Sequence, residues 1–289
     1  MKYLILGCNG MFGHMLSFYL MEQGHEVTGL AQNKQILLPT IIADARNVDK
    51  LKTIIKEGDY DAVINCIGIL NQKAEENKKD AVFLNSYLPH VLADLTKTSS
   101  TQIIHISTDC VFSGKRGSYK ENDFKDGDTF YDRTKAIGEL DDNKNITLRN
   151  SIVGPDMKED GIGLLNCFLR QTGPVYGYKK VLWSGLTSLQ LAKVAELMTT
   201  KKISGLYNAV NNEKISKYEL LELFNKYLRR SKIKIIPSDE VVLDKILVRT
   251  REWDFVSQTC DVLSSYESMV EDLRHWMQKH QHLYVHYYS

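Results

Sequence analysis

A tyrosine and a lysine four residues apart, Tyr131 and Lys135, are the side chains of this sequence that first suggest chemistry. If their segment is helical, both leave the same face about one turn apart. A phenol has a pKa of about 10, and a neighbouring ammonium lowers that pKa because it stabilises the phenolate. Such a pair can donate a proton to a carbonyl oxygen near neutral pH. Because Y-x-x-x-K pairs are common by chance, the surrounding sequence has to support this interpretation.

Hydroxyl groups also stand at the end of a predicted strand. The apolar run at residues 102–106 leads into Ser107, Thr108 and Asp109. In open parallel α/β sheets, ligands bind beyond the carboxyl ends of the strands, so these side chains are favourably placed for function. A polar stretch without periodicity, residues 115–129, follows and is predicted to be a lid or substrate loop.

The beginning of the chain predicts a dinucleotide site. A short apolar strand is followed by three glycines in the spacing G-x-x-G-x-x-G and then by a helical pattern. Glycines allow a tight turn and a close approach to a pyrophosphate, which meets the positive end of the helix. The context is that of the dinucleotide fingerprint, although the spacing differs from G-x-G-x-x-G. The predicted cofactor contacts here are Gly7, Gly10, Met11, Phe12 and Gly13.

The second predicted strand, residues 26–30, indicates which cofactor is preferred. In NAD-preferring folds, an acidic residue after this strand binds the ribose 2′-hydroxyl. Here Asn33 and Lys34 follow instead, and they would tolerate a 2′-phosphate. NADP(H) is therefore favoured, and NAD(H) stays possible. Asp44, after the third predicted strand, either accepts a hydrogen bond from an adenine amino group or caps the next helix, and both alternatives stay open.

Strands and helices alternate through the first half of the chain, which predicts an α/β fold with a Rossmann-type doubly wound parallel sheet. The buried strand at residues 61–68 ends in Cys66, Ile67 and Gly68, which should face the cofactor crevice. A long helix is predicted over residues 74–97. Past residue 155 the elements are shorter, so we divide the chain into a nucleotide-binding domain, residues 1–155, and a smaller α/β substrate-binding region, residues 156–289. The boundary is approximate, because later segments of the chain can return to the first domain.

Composition excludes several function classes. Hydrophobic residues make up 43% and charged residues 25%, as in ordinary globular proteins, and the net charge of +1 gives no electrostatic case for nucleic acid or an anionic membrane. The five cysteines form no C-x-x-C pair and no metal-binding pattern, so we expect reduced thiols, a cytoplasmic protein and no metal. Neither a signal peptide nor a membrane span is expected. The aromatic tail, residues 283–288, should pack on a neighbouring surface or subunit.

Taken together, these motifs resemble the extended short-chain dehydrogenase/reductases. The sequence is most similar to the dTDP-4-dehydrorhamnose reductase group, whose members show S-T-D-x-V-F-x-G and Y-G-x-T-K segments followed by G-E. Here the first segment occupies residues 107–114, the second residues 131–135, and Gly138-Glu139 follows. The three motifs, with their order and spacing, cover about the first 155 residues.

The resemblance implies NADPH-dependent reduction of the 4-keto group of a nucleotide-linked 6-deoxy sugar, for cell-surface polysaccharide synthesis. Tyr131 would protonate the sugar oxygen, and Lys135 would bind the nicotinamide ribose and lower the pKa of Tyr131. Thr108 would hydrogen-bond the substrate, and Asn85 matches a proton-relay position. By analogy the protein would form a homodimer. The expected substrate contacts are Thr108, Asp109, Phe112, Arg149, Asn150 and Trp183.

Two departures from the group's pattern leave the sugar open. Residues 248–253 do not match the group's R-P-x-x-S segment, and Asp132 replaces the glycine that usually follows the tyrosine. Both dTDP-4-dehydrorhamnose and a UDP-linked 2-acetamido-2,6-dideoxy-hexos-4-ulose are therefore candidate substrates.

Other functions occur on the same fold. Dehydratases carry T-D-E where this chain has Cys110, which favours simple reduction over elimination. Epimerases usually have a small residue at the position of Asp109, which counts mildly against an epimerase. A non-catalytic NADP-binding regulatory protein would not need the full set of Thr108, Tyr131 and Lys135.

Overall fold

The computed structural model describes residues 1–34, 37–211, 213–251 and 264–288. Cys260 and the end of the segment compared with R-P-x-x-S lie outside the described residues. The strands in chain order are β1 Lys2–Leu6, β2 Glu26–Ala31, β3 Thr40–Ile42, β4 Ala62–Asn65, β5 Gln102–Thr108, β6 Ile146–Asn150, β7 Ile152–Val153, β8 Val175–Trp183, β9 Leu186–Thr187, β10 Gly205–Asn208, β11 Ile215–Ser216 and β12 Ile235–Asp244.

Seven of these strands form one parallel sheet in the order β3-β2-β1-β4-β5-β6-β10. From β1 the chain first builds outward through β2 and β3, and then returns to build the other half from β4. The order therefore reverses between β1 and β4, and ligands bind at such a switch point beyond the carboxyl ends of the strands. The predicted Rossmann-type sheet is confirmed.

Helices cover both faces of this sheet. In chain order, the α- and π-helices of the described residues are α1 Met11–Glu22, α2 Val48–Gly58, α3 Asn71–Glu76, α4 Lys78–Ala81, a π-helix Val82–Tyr87, α5 Leu88–Leu95, α6 Phe130–Ile137, α7 Leu164–Leu169, α8 Ser188–Thr200, α9 Lys217–Leu228 and α10 Tyr266–Lys279. The single helix predicted over residues 74–97 is wrong in detail. It breaks at Asn77 (φ −121°) and continues through the wider π-helical turn into α5, which ends at Leu95.

Buried side chains alternate across the central strand, as expected when both faces of a parallel sheet are covered. Tyr3 and Ile5 belong to the core beneath α1, α8 and α10, whereas Leu4 and Leu6 belong to the core beneath α2 and α5. All four side chains are fully buried. The sheet is thus fixed from both sides, and only its ends are open to ligands.

The second half of the chain builds a smaller sheet and then rejoins the main one. In the order β11-β8-β12, β12 runs parallel and β11 antiparallel to β8. β8 is a single strand that runs without a break from Val175 to Trp183. β10 pairs with β6 and so completes the seven-stranded sheet from beyond residue 155. The division at that residue stays a prediction.

The aromatic tail packs on the chain's own first helix. Tyr284 is fully buried, and its hydroxyl lies 3.0 Å from His14 Nε2 and accepts a hydrogen bond from Trp276 Nε1 at 3.3 Å. The Tyr287 hydroxyl accepts a hydrogen bond from Asp156 N at 2.9 Å. Packing of the tail on a neighbouring surface is therefore confirmed. Across the described ranges, no helix is both long enough and apolar enough to cross a membrane.

Candidate active site

The glycine turn after β1 is shaped by contacts that exclude side chains. Gly7 has a left-handed φ of +78° and accepts a hydrogen bond from Gly10 N at 2.9 Å. A Cβ added to Gly13 would lie only 2.2 Å from Gly7 O, which means that α1 packs directly on the turn. Both positions thus need glycine, one for its conformation and one for close packing.

The beginning of α1 offers free backbone donors. Its N-cap, Gly10, makes no side-chain capping bond, and the first turn contains no acidic residue. The first N–H groups of a helix have no partner within the helix and carry a partial positive charge, so they suit a pyrophosphate. Met11 and Phe12 contribute backbone here, because the Phe12 ring is buried in the core. This region fits the diphosphate of a dinucleotide.

The segment after β4 adjoins this turn. Cys66 N donates to Leu6 O at 3.0 Å, and a Cβ on Gly7 would lie 3.0 Å from Ile67 Cγ1. The Asn65 Oδ1 accepts a hydrogen bond from Ile67 N at 3.1 Å. The structure therefore brings the predicted Gly7–Gly13 and Cys66–Gly68 segments together at the β1/β4 switch point.

The loop after β2 lies beside the same turn. Asn9 Nδ2 donates to Asn33 O at 2.8 Å, which holds this loop against the glycine turn. The side chains of Asn33 and Lys34 are exposed. An amide and an ammonium thus stand where NAD-preferring folds place an acid, which fits a 2′-phosphate.

Asp44 is held by a neighbouring arginine. Arg46 Nη2 lies 2.6 Å from Asp44 Oδ2, and Arg46 Nη1 lies 2.8 Å from Asp80 Oδ2. The hydrogen bond from Arg46 keeps the pKa of Asp44 below its usual value. Asn47 caps α2, so the alternative that Asp44 caps this helix is wrong. An adenine contact stays a prediction.

Thr108 and Tyr131 form the centre of the candidate site. Thr108 is the last residue of β5, and its hydroxyl donates a hydrogen bond to Asp109 Oδ1 at 3.1 Å, while α6 holds Tyr131 7% exposed. Burial raises the pKa of Tyr131 above its usual value, while the polar side chain of Thr108 acts to lower it. The expected lowering of this pKa is therefore wrong for the free protein, because removal of the phenol from water outweighs its polar contacts.

Lys135 turns back from α6 onto β5. Its ammonium nitrogen donates to Ile106 O at 2.7 Å and lies 3.2 Å from His105 Nε2. Burial lowers the pKa of Lys135 to about 8. The helical spacing thus places an acid and a titratable amine at the end of β5, and their catalytic roles stay predictions.

The beginning of α6 explains why Asp132 follows the tyrosine. Thr129 accepts a hydrogen bond from Asp132 N, and the Asp132 carboxylate accepts one from Thr129 N, which completes a capping box. At the other end, a Cβ on Gly138 would lie 1.9 Å from Asn85 O, so α6 approaches the π-helix closely. The helix that carries Tyr131 is therefore fixed at both ends.

Asn85 joins the segment at Ile69 to α6 through hydrogen bonds of its side chain. This fully buried side chain accepts a hydrogen bond from Ile69 N and donates to Ile69 O, both at 2.9 Å, and it also donates to Thr134 Oγ1 at 3.1 Å. Both amide donors and one of the two acceptor positions of Asn85 are thus used to hold the segment after Gly68 against α6. A proton relay through Asn85 stays a prediction, and the contacts favour a positioning role.

Arg149 does not lie where a substrate could reach it. Its guanidinium is fully buried and bonds Glu139 through Nε at 2.9 Å and Nη2 at 2.8 Å. Ser107 and Lys125 bond the same carboxylate, both at 2.7 Å. The predicted substrate contact of Arg149 is therefore wrong, because its charge balances Glu139 beneath the site.

Two other predicted substrate contacts are also interior. Phe112 is fully buried, stacked on Tyr119 with ring centroids 4.3 Å apart. Asn150 is 3% exposed and donates to Ser107 O at 3.2 Å and Leu148 O at 3.1 Å. Both predictions are corrected to structural positions, because each side chain is withdrawn from solvent and held by interior partners.

Two lysines from the second half of the chain complete the charge distribution near Thr108. Burial raises the pKa of Asp109, and Lys245 and Lys217 act to lower it. Lys217 Nζ lies 5.0 Å from the centre of the Trp183 ring, and burial lowers the pKa of this lysine to about 8. Among the described residues, Trp183 Nε1 is a buried donor without a partner. A substrate contact of Asp109, which is partly exposed, stays a prediction, as does one of Trp183, which is 3% exposed but keeps that unpaired donor.

Sequence reasoning missed three residues of this site: His105, Lys217 and Lys245. His105 looks like one polar residue within a buried strand, and only the fold shows that Lys135 faces it. The capping box of Ser216 and Glu219 signals that a helix begins at Lys217, but it carries no information about the distant Asp109.

Comparison with known proteins identifies the family. The sequence model of the RmlD substrate binding domain matches residues 1–153, more than half of the chain. The protein belongs to the RmlD substrate binding domain family. The family resemblance predicted from the three motifs is thereby confirmed.

Relatives of this RmlD-family chain are named as reductases. It is 32% identical over 139 residues to a probable low-salt glycan biosynthesis reductase of Haloferax volcanii, covering 47% of the chain and 46% of that relative. It is 30% identical over 141 residues to a dTDP-4-dehydrorhamnose reductase of Mycolicibacterium smegmatis, covering 48% and 40%. The match thus spans about half the length of these curated relatives.

A solved structure extends the similarity in fold to almost the whole chain. The dTDP-4-dehydrorhamnose reductase of Bacillus anthracis, in complex with NADP, superposes with a TM-score of 0.78. The match covers 94% of this chain and 98% of that structure at 18% identity, which establishes the shared fold.

Proposed function

We propose that this protein reduces the 4-keto group of a nucleotide-linked 6-deoxy sugar with NADPH. The observation that carries the proposal is the placement of Tyr131 and Lys135, one turn apart on α6, beside Thr108 at the carboxyl end of β5. Membership of the RmlD family and relatives named as reductases support it. The pair offers a proton donor held at the open end of the sheet.

NADP fits the residues of the β1/β4 crevice. The Gly7–Gly13 turn and the free N–H groups of α1 would hold its diphosphate, Asn33 and Lys34 its 2′-phosphate, and Cys66–Gly68 would line the crevice. When bound, NADPH supplies the hydride. Its presence in a similarly folded reductase supports this choice over NADH.

The chain's own residues would supply the proton. Thr108 would orient the keto oxygen, and the Tyr131 hydroxyl would donate its proton to that oxygen as negative charge develops there. Since burial raises the pKa of Tyr131, the phenol holds its proton in the free protein, and its release would depend on the negative charge that develops on the keto oxygen. Lys135 would restore the proton to the phenolate after the reaction.

A rival function is sugar-nucleotide dehydration, which needs a base next to Asp109. This position is Cys110, and burial raises the pKa of its thiol to about 12. A thiol that stays protonated at neutral pH cannot remove a proton from the sugar. The site thus supports reduction. An epimerase or a regulatory protein on the same fold is the alternative that the experiment described below distinguishes.

We also propose which nucleotide the substrate carries, where in the cell the protein acts and which oligomer it forms. Relatives named dTDP-4-dehydrorhamnose reductase support a dTDP-linked substrate, with a UDP-linked 2-acetamido sugar as the second candidate. Relatives named for glycan and spore coat polysaccharide biosynthesis support a role in cell-surface polysaccharides. The free Cys8, Cys66, Cys110 and Cys167 fit the cytoplasm. A homodimer is expected by analogy, and light scattering after size exclusion would test it.

The decisive experiment follows NADPH absorbance with dTDP- and UDP-linked 4-keto sugars, with products identified by NMR. Tyr131→Phe should lower kcat by roughly 10²–10⁴-fold, because it removes the proton donor. Tyr176→Phe, at an exposed tyrosine of β8, is the matched control and should leave kcat unchanged. Undiminished turnover by Tyr131→Phe would refute the proposed acid, and NADPH binding without turnover on any sugar would favour the regulatory alternative.

A further inference from the structure

Three buried polar side chains, Asn65, His105 and Lys135, contact one another in a line that begins at Lys135 and ends in the interior. Asn65 and His105 are fully buried, and Lys135 is 4% exposed. Asn65 Nδ2 lies 3.2 Å from His105 Nδ1, and His105 Nε2 lies 3.2 Å from Lys135 Nζ. Both contacts of the imidazole are thus with nitrogen atoms, so the placement of hydrogens along the line is restricted.

The orientation of the Asn65 amide is fixed from outside the line. Its oxygen accepts a hydrogen bond from Ile67 N at 3.1 Å, so its NH₂ group has to point at His105 Nδ1. The reverse orientation would set two donors against each other at Ile67. Because Nδ1 must then accept, a neutral His105 carries its hydrogen on Nε2. Burial and the nearby Lys135 hold the pKa of His105 well below its usual value, which keeps the ring neutral.

The hydrogen on Nε2 points at Lys135 Nζ. A neutral amine has a lone pair that can accept it, whereas an ammonium has three donors and no acceptor. The charged form of Lys135 is therefore compatible with this arrangement only if His105 gives up its bond to Asn65. Lys135 keeps its other bond, to Ile106 O, in either form.

Other ionisable groups face the line from the surrounding elements. Glu139, after α6, and Cys66, after β4, act to raise the pKa of Lys135, whereas His90 of α5 acts to lower that of His105. The Glu139 carboxylate is already bonded to Arg149, which limits its effect on Lys135. The contact with His105 is the one that distinguishes amine from ammonium by hydrogen-bond geometry.

We propose that Asn65 and His105 are positioning residues that favour the neutral amine of Lys135, by fixing the Nε2–H tautomer of the imidazole against Nζ. The catalytic role rests on the proposed function, in which the Lys135 ammonium passes a proton to the Tyr131 phenolate, becomes the neutral amine that His105 stabilises, and then takes a new proton from water. A permanently charged lysine could not give up the first proton.

The first test is NMR of the free wild-type protein labelled with ¹⁵N-histidine. The ¹⁵N shifts and two-bond couplings distinguish the two neutral tautomers and the imidazolium, and His105→Gln assigns the resonance. We expect the Nε2–H tautomer at a pH above the titration midpoint of Lys135, where the amine is neutral. An Nδ1–H tautomer or an imidazolium above that midpoint would overturn the proposal, even if no substrate were ever turned over.

The second test titrates Lys135 by NMR of its ε-carbon in two variants. In Asn65→Asp, the carboxylate accepts from both Ile67 N and His105 Nδ1, which frees Nε2 to accept from the ammonium. In His105→Gln, a neutral amide can turn its oxygen to the ammonium. Both should raise the titration midpoint by about one pH unit or more, a tenfold gain in proton affinity.

The two variants separate the proposal from simpler explanations. A rise in Asn65→Asp alone would show an effect of added charge, and no rise in either would show that burial alone sets the charge of Lys135. Each result would overturn the proposal. Circular dichroism and NADPH binding check folding, and should a variant not fold, the wild-type tautomer still decides.

Discussion

At the scale of single residues, Glu139 shows how a charge is kept beneath the site. Its carboxylate is fully buried, and four donors reach it from Ser107, Lys125 and both sides of the Arg149 guanidinium. Burial acts to raise the pKa of Glu139, but these partners outweigh it and hold the pKa below the ordinary value of 4.5. Ser107 precedes Thr108, so the ion pair also fixes the end of β5.

Glu139→Gln should destabilise the fold by about 3–5 kcal/mol, because it leaves the buried Arg149 charge without its counter-ion. The measurement is the free energy of unfolding in urea. Glu267→Gln breaks an exposed ion pair with Lys226 and should cost less than about 1 kcal/mol. Equal losses in the two variants would contradict the assigned role of Glu139.

Glu139 also predicts a pH dependence of stability. Its folded-state pKa lies below that in the unfolded chain, so its ionised form stabilises the fold above pH 4.5. This contribution is lost as the pH falls below 4.5 and through the folded-state pKa. Unfolding free energies measured from pH 6 downward should fall more steeply in the wild type than in Glu139→Gln. Parallel curves would contradict the assignment.

At this scale the sequence predicted the groups that share local spacing and missed those that meet through the fold. Tyr131 and Lys135 lie one helical turn apart, so pattern alone put them together. Arg149 looked available to a substrate because strand periodicity does not tell that Glu139 closes over it. His105 and Lys217 were missed because their partners come from other elements.

At the scale of elements, the capping box of α6 positions the candidate acid. Thr129→Ala should cost about 1 kcal/mol of stability and also lower kcat, since the first turn of the helix carries Tyr131. Ser265→Ala removes the corresponding cap of α10 and should cost similar stability with kcat unchanged. Urea unfolding and NADPH oxidation measure the two effects. A normal kcat in Thr129→Ala would show that the cap does not position Tyr131.

The glycine turn gives a second prediction for an element. Gly13→Ala would place a Cβ 2.2 Å from Gly7 O, so the turn and α1 must move apart. We expect at least tenfold weaker NADPH binding, measured by fluorescence titration. Gly173→Ala is the matched control, because a Cβ there meets nothing within 4 Å. Unchanged affinity in Gly13→Ala would argue against this turn as the diphosphate site.

Elements with one strong periodicity were predicted well, and those with mixed signals were not. Strands β1, β2, β4 and β5 follow from apolar runs, and α1 and α6 follow from helical spacing. The break at Asn77 and the π-helix do not, since Asn85 leaves the helical pattern in order to reach Ile69. That hydrogen bond is a tertiary contact, and no local sequence preference predicts it.

At the scale of the whole molecule, the tail joins the two ends of the chain. Tyr284→Phe would leave His14 Nε2 and Trp276 Nε1 without their buried partner. We expect a loss of about 1–3 kcal/mol in the free energy of unfolding. Tyr288→Phe, at a 49% exposed tyrosine, should be neutral. Because His14 belongs to α1, loss of stability without a change in NADPH affinity would show that the tail supports the fold and not the turn.

β10 is synthesised well after β6, the strand with which it pairs. β6 ends at Asn150, and the strand that covers its outer edge begins only at Gly205. A ribosome adding about 5–20 residues per second needs several seconds to make the intervening chain. Throughout that interval the unpaired N–H and C=O groups of β6 offer a template to any other strand. The nascent protein is therefore open to misassembly at this edge for an interval that begins only after its family-defining segment is complete.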